Sequence, residues 1–78
     1  MMEKKLTFSY DREADILYID KCEAYAQQEC EELPDDMVIR MNPDTGEIEN
    51  IEVLFFSTRL LRKDSFEVAI DAHLRPAV

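Results

Sequence analysis

Two period-two apolar patterns, each broken by a short turn signal, constrain this chain more than any other feature. In the first, Leu6, Phe8 and Tyr10 alternate with Lys5, Thr7 and Ser9 from Lys4 onward, the pattern of a half-buried strand. Ile16 to Ile19 follow without alternation, which suits a strand covered on both faces. Between the two runs, Asp11-Arg12-Glu13-Ala14 reads as a four-residue hairpin loop. The implied register sets Tyr10 opposite Asp15, Phe8 opposite Leu17 and Leu6 opposite Ile19, so that Leu6, Phe8, Leu17 and Ile19 share one face. Ile16 and Tyr18 fall on the other face and require a cover.

The second pattern joins Met37–Met41 to Ile48–Phe56 across the turn Asn42-Pro43-Asp44-Thr45-Gly46-Glu47. Proline early in the loop and the chain's single glycine late in it fit a type I turn with a left-handed exit. This places Met41 near Ile48 and Arg40 near Glu49. Ile48 is out of step with Ile51, Val53 and Phe55, and a β-bulge at Glu49-Asn50 restores the parity. A weaker strand is read at Tyr25–Glu31, polar on both sides and so suited to an edge, with a turn at Pro34-Asp35-Asp36. Ser57 reads as the N-cap of a short helix running to Lys63, with Leu60 and Leu61 inward and bases in its last turn. Phe66, Val68 and Ile70 then alternate as a last strand, although a helix over Phe66–Leu74 fits as well. The expected architecture is α+β: one domain over residues 1–78, with a small antiparallel sheet of five or six strands, largely a meander, and one short helix in the C-terminal third.

Seventy-eight residues limit the core such a chain can bury, and chains of this size gain from a metal, a staple or a second subunit. Cys22 and Cys30 stand eight apart, a spacing that fits neither a Cys-x-x-Cys site nor a disulfide framework, and two free thiols suit a reducing compartment. The first ten residues hold no apolar stretch ahead of a small-residue cleavage site, and Val53–Phe56 is far too short to span a bilayer. A cytoplasmic location is therefore expected, without membrane contact. The net charge of −9 is concentrated, with fourteen acids against three bases between Asp11 and Glu52. Such a field repels phosphate backbones and attracts a basic partner.

Several residues invite a chemical reading. Asp11, Glu13 and Asp15 recur at every second position, as ligands of a metal or small molecule would. A turn explains them as well, because an aspartate opening a loop accepts hydrogen bonds from amides two and three residues on. Asp44 and Gly46 belong to the second turn in the same sense. His73 is alone, with no metal-ligand spacing around it, and Ser57 lacks the Gly-x-Ser-x-Gly setting of a nucleophile. No catalysis, metal or cofactor is expected. Glu52 interrupts an apolar run and reads either as a solvent-facing carboxylate or as a buried ion-pair partner of Arg40, Arg59 or Arg62 at a subunit contact. Ile16, Tyr18, Leu54 and Phe56 would share that contact with it.

The segments Tyr10–Ile19 and Pro43–Leu60 resemble the small, mostly bacterial proteins grouped as domain of unknown function 2283. The likeness rests on Tyr10, Asp11, Glu13, Asp15, Leu17, Tyr18 and Ile19, then on Asp44, Gly46, Ile48, Ile51, Glu52, Val53 and Leu54. Arg12 stands where proline is usual, Asn50 where glycine is common and Asn42 where aspartate is frequent. The resemblance implies a small α+β domain with an antiparallel sheet and implies no activity. An association with neighbouring toxin-like ribonuclease genes adds an antitoxin-like role. With the charge pattern, the expectation is a soluble homodimeric interaction module for a small basic protein; the alternative is a metal or small-ligand binder using the Asp11/Glu13/Asp15 loop.

Overall fold

The computed structural model describes residues 5–62, 65, 67–71 and 74–76. Five strands form one antiparallel sheet: β1 (Thr7–Asp11), β2 (Ile16–Asp20), β3 (Glu29–Leu33), β4 (Met37–Met41) and β5 (Ile48–Leu54). One short helix, α1 (Phe56–Leu60), follows β5 directly. The spatial order is β1-β2-β5-β4-β3. Three pairings are successive hairpins, and the fourth, β2 with β5, is reached by the long connection Lys21–Gln28. Strands β2 to β5 thus follow a Greek-key order. This is the small α+β fold that the hairpin patterns imply.

The β1–β2 register differs by two residues from the expected one. Tyr10 faces Leu17, Phe8 faces Ile19 and Asp11 faces Ile16, so the loop is Arg12–Asp15. The cause is Asp15, whose φ of 57° takes the chain through the left-handed region before β2 begins. Because the displacement is even, each side chain keeps its face. The bulge lies where parity requires it: Arg40 pairs with Asn50 and Met41 with Ile48, leaving Glu49 as the extra residue. Arg40 therefore lies beside Asn50 rather than Glu49.

The third strand begins at Glu29, four residues later than Tyr25, and lies at the sheet edge. Among the described residues, 67–71 form neither strand nor helix, while Phe66 and His73 lie outside those residues.

The core sits on the face shared by Leu17, Ile51, Val53, Met37 and Ile39. Val53 is 0% exposed, Met37 3% and Ile39 6%. Leu6 and Phe8, expected in the core, are 45% and 65% exposed. They lie at the outermost strand, whereas Val68 and Ala69 line a cleft with Met37 and Ile39 above β4. Leu60 and Leu61 also point out, at 47% and 88% exposure, and Arg59 is buried instead. Phe55, left-handed at φ 53°, takes the N-cap position two residues ahead of Ser57, and in the helix it opens Arg59 rather than Leu60 faces inward.

Candidate functional site

Three side-chain groupings sit at distinct places on this sheet. The first closes the β1–β2 loop. Asp11 Oδ1 accepts the amide N–H of Glu13 at 3.0 Å and of Ala14 at 3.1 Å, an Asx-turn that caps the hairpin. Asp15 turns away from it. Its Oδ1 accepts the Tyr10 hydroxyl at 2.6 Å and the Ser57 amide at 3.0 Å, and its Oδ2 accepts the Ser57 hydroxyl at 2.8 Å. Its carbonyl also accepts the Phe56 amide at 3.0 Å. Ser57 is therefore not the N-cap. That position is Phe55, which offers no side-chain cap, and a carboxylate 42 residues away satisfies the first turn of α1.

The Tyr10 hydrogen bond, followed by the Ser57 amide, holds the Asp15 carboxyl below its ordinary range, while the same bond raises the Tyr10 phenol. Asp11 and Asp15 thus point their oxygens at protein donors, and Glu13 contributes its amide. Among the described residues, no group of three His, Cys, Asp or Glu side chains is arranged to hold a metal ion.

The second grouping has little signal in the sequence. It ties the Lys21–Gln28 crossover to the bulge. Asn50, 3% exposed, accepts from Gln28 Nε2 at 2.7 Å and donates to Asp20 Oδ1 at 2.9 Å and to the Cys22 carbonyl at 2.7 Å. Glu49 Oε1 accepts from Tyr25 Oη at 2.6 Å and Gln28 Nε2 at 3.0 Å, and its Oε2 accepts from Asn42 Nδ2 at 3.4 Å. Asn42 in turn caps the β4–β5 turn through Oδ1, which accepts the amides of Asp44 at 2.8 Å and Thr45 at 3.1 Å. Gly46 closes that turn at φ 76°. A carboxylate with three donors on it is an anchor, and this one holds a long connection in place.

The titrations of that anchor give a measurable consequence. The bond to the Glu49 carboxylate, followed by burial, pushes the Tyr25 phenol up to about 12. Tyr25 and then Gln28 hold Glu49 below its ordinary 4.5. Unfolded tyrosine ionises near 10.0, so the stabilisation is complete below that pH and is lost as pH climbs through about 12. The Glu49 contribution has the opposite sense: it is present above 4.5 and lost as pH falls through the lowered value. Ultraviolet titration of tyrosinate should show a step delayed to about 12 that moves back toward 10.0 in Glu49→Gln. An unmoved step would mean that the carboxylate is not its cause.

The third grouping is a pair of surfaces. On the face away from the core, Ile16, Tyr18, Val38, Glu52 and Leu54 are half-buried, and Arg40 Nε meets Glu52 Oε2 at 3.1 Å in their midst. Of the three arginines considered for Glu52, this geometry selects Arg40, whose Nη1 also reaches Cys30 Sγ at 3.0 Å. Phe56 does not share that face. Its ring packs on Tyr10 with centroids 5.7 Å apart, on the core side, because the left-handed Phe55 breaks the strand alternation.

Beside the β3–β4 edge lies a cleft of about 380 Å³. Leu33, Met37, Ile39 and Val68 give it apolar walls, Glu31, Asp35 and Glu67 give it acidic ones, and among the described residues none that is basic lines it.

A small α+β protein built on one antiparallel sheet, with an acid-lined apolar cleft at its edge, is the class these features define. The chain belongs to the family described as Protein of unknown function (DUF2283), whose model matches residues 7–57. No curated protein and no solved structure matches it. No helix of the described residues is long and apolar enough to cross a membrane.

Proposed function

We infer that this chain is a non-enzymatic, cytoplasmic interaction module that works as a homodimer and holds a basic segment of a partner protein, as an antitoxin holds its toxin. The cleft beside β3 and β4 carries the reading. Its volume accommodates one or two apolar side chains, and its acidic lining, without a base among the described residues, favours Lys or Arg flanking that anchor. The charge distribution supports the same polarity of partner, since the chain carries 18 acids against 9 bases.

Assembly is supported by the apolar side chains that the described residues leave exposed on β1 and just before it, Phe8 at 65% and Leu6 at 45%.

A labelled peptide with one Leu or Phe between clustered Lys and Arg residues tests the cleft. Binding should reach micromolar strength at low salt, weaken steeply as salt is added, and vanish when Glu31 and Glu67 are both changed to Lys. Absence of binding at low salt would overturn the reading. Binding that survives the double reversal would move the site elsewhere.

A further inference from the structure

The two edges of the sheet are unlike, and the difference identifies a contact. The β3 edge carries Glu29, Glu31 and Glu32, all exposed. A second copy pairing there would set acids against acids, a common protection against edge-to-edge association. The β1 edge has no such guard. All five of its residues are exposed, from Thr7 to Tyr10 none is charged, and Phe8 is 65% exposed. Among the described residues, no strand lies beside the outer backbone groups of this terminal strand.

We propose that β1 pairs antiparallel with β1 of a second copy about a two-fold axis at Phe8, joining two sheets into one of ten strands. The choice of a second copy rests on self-complementarity. With Phe8 opposite the partner's Phe8, Thr7 meets the partner's Ser9 and Leu6 meets the partner's Tyr10. Lys5 then meets the partner's Asp11. Every pair is matched in kind: aromatic with aromatic, hydroxyl with hydroxyl, apolar with apolar, cation with anion. Alternation keeps Leu6, Phe8 and Tyr10 on the core side, so the Phe8 pair extends the apolar face that each subunit leaves open. Sliding the register by two residues toward the loop sets Arg12 against the partner's Leu6 and moves Lys5 from Asp11, the last residue of β1, to Glu13 in the loop beyond the strand. The Lys5 contact is exposed and contributes little to affinity, but it selects among registers. Such an isologous arrangement closes on itself and leaves only the two acidic β3 edges at its ends, which stops further growth.

This contact rests on the homodimer reading above, and the experiment separates the two. Sedimentation of the wild-type chain at micromolar to submillimolar concentration should approach twice 9.2 kDa. A monomer throughout would overturn both the dimer and this contact. Phe8→Lys, at a position already 65% exposed in the single chain, should keep the wild-type circular dichroism. It should weaken association by about tenfold or more, because it replaces an aromatic pair with facing like charges. Unchanged association would overturn the β1 contact and leave the dimer standing.

Register is read in a Cys22→Ser, Cys30→Ser background. There, Phe8→Cys should form a disulfide-linked dimer under mild oxidation, and Leu6→Cys should not. Two copies of residue 6 would lie about 13 Å apart along the paired strands, beyond disulfide reach. Cross-linking at residue 6 but not at residue 8, or at neither, would overturn the register.

Discussion

Asn50→Ala should destabilise the fold by about 2–4 kcal/mol, a large share of the roughly 4–12 kcal/mol that a chain of this length has to lose. The size follows from burial and from the count of partners. Asn50 is 3% exposed and makes three side-chain hydrogen bonds, to Gln28, Asp20 and the Cys22 carbonyl. Alanine removes all three and leaves the Cys22 carbonyl and Asp20 facing a small apolar side chain. Glycine, common at this position in the family pattern, loses the same bonds. Asn50→Asp keeps an acceptor for Gln28 but sets a second carboxylate against Asp20, so it should cost at least as much.

Denaturant unfolding measures the loss, and hydrogen exchange locates it. Amides of the Lys21–Gln28 connection should lose protection before those of β2 and β5. A cost below about 0.5 kcal/mol would mean that water replaces the amide in that space.

Much of this fold was legible because turns and parity are local. Ile48 standing out of step with Ile51 and Val53 located the bulge to within a residue, since one inserted residue is the smallest repair of a period-two pattern. The Asx-turn at Asp11 was legible for the same reason: donor and acceptor lie two and three residues apart. What lay beyond reach was tertiary. Nothing in Ile16–Ile19 states that β5 will be its neighbour, and that pairing brings Asp20 to Asn50 across 30 residues. The third strand began four residues late because Tyr25 and Gln28 are polar either way, and alternation does not distinguish an edge strand from a connection folded onto a polar anchor. The hydroxyl of Ser57 reads as a helix cap because serine so often is one, yet the helix's first turn is met by Asp15, distant in sequence and just ahead of β2, the strand paired with β5. Asp15 itself was visible only as one of three acids. Its separate task follows from its left-handed backbone, which alternation does not encode.

The second large effect concerns which face of the sheet is the core. Val53 is 0% exposed, near the end of β5, the central strand of the sheet, with Leu17 and Met37 as its cross-strand neighbours. Val53→Asp places a carboxylate where those side chains offer no hydrogen-bond donor. Burying an unpaired charge costs several kcal/mol, enough to exceed what remains of so small a fold, so the variant should be unfolded at neutral pH. Burial raises the pKa of the introduced carboxyl, so acidification toward its protonated form should restore part of the circular dichroism. Any recovery is limited on the acid side, because Asp15 and Glu49 lose their own contributions as their lowered values are crossed.

Tyr18→Lys is the matching change on the opposite face. Tyr18 is half-buried and its cross-strand partner is Glu52, so a lysine stem can lie along the sheet with its ammonium near that carboxylate. It should stay folded, and with the subunit contact at β1 its sedimenting mass should equal that of the wild type. A folded Val53→Asp would place the core on the Tyr18 face. A folded but monomeric Tyr18→Lys would transfer the contact from the β1 edge to the face that holds Ile16, Glu52 and Leu54.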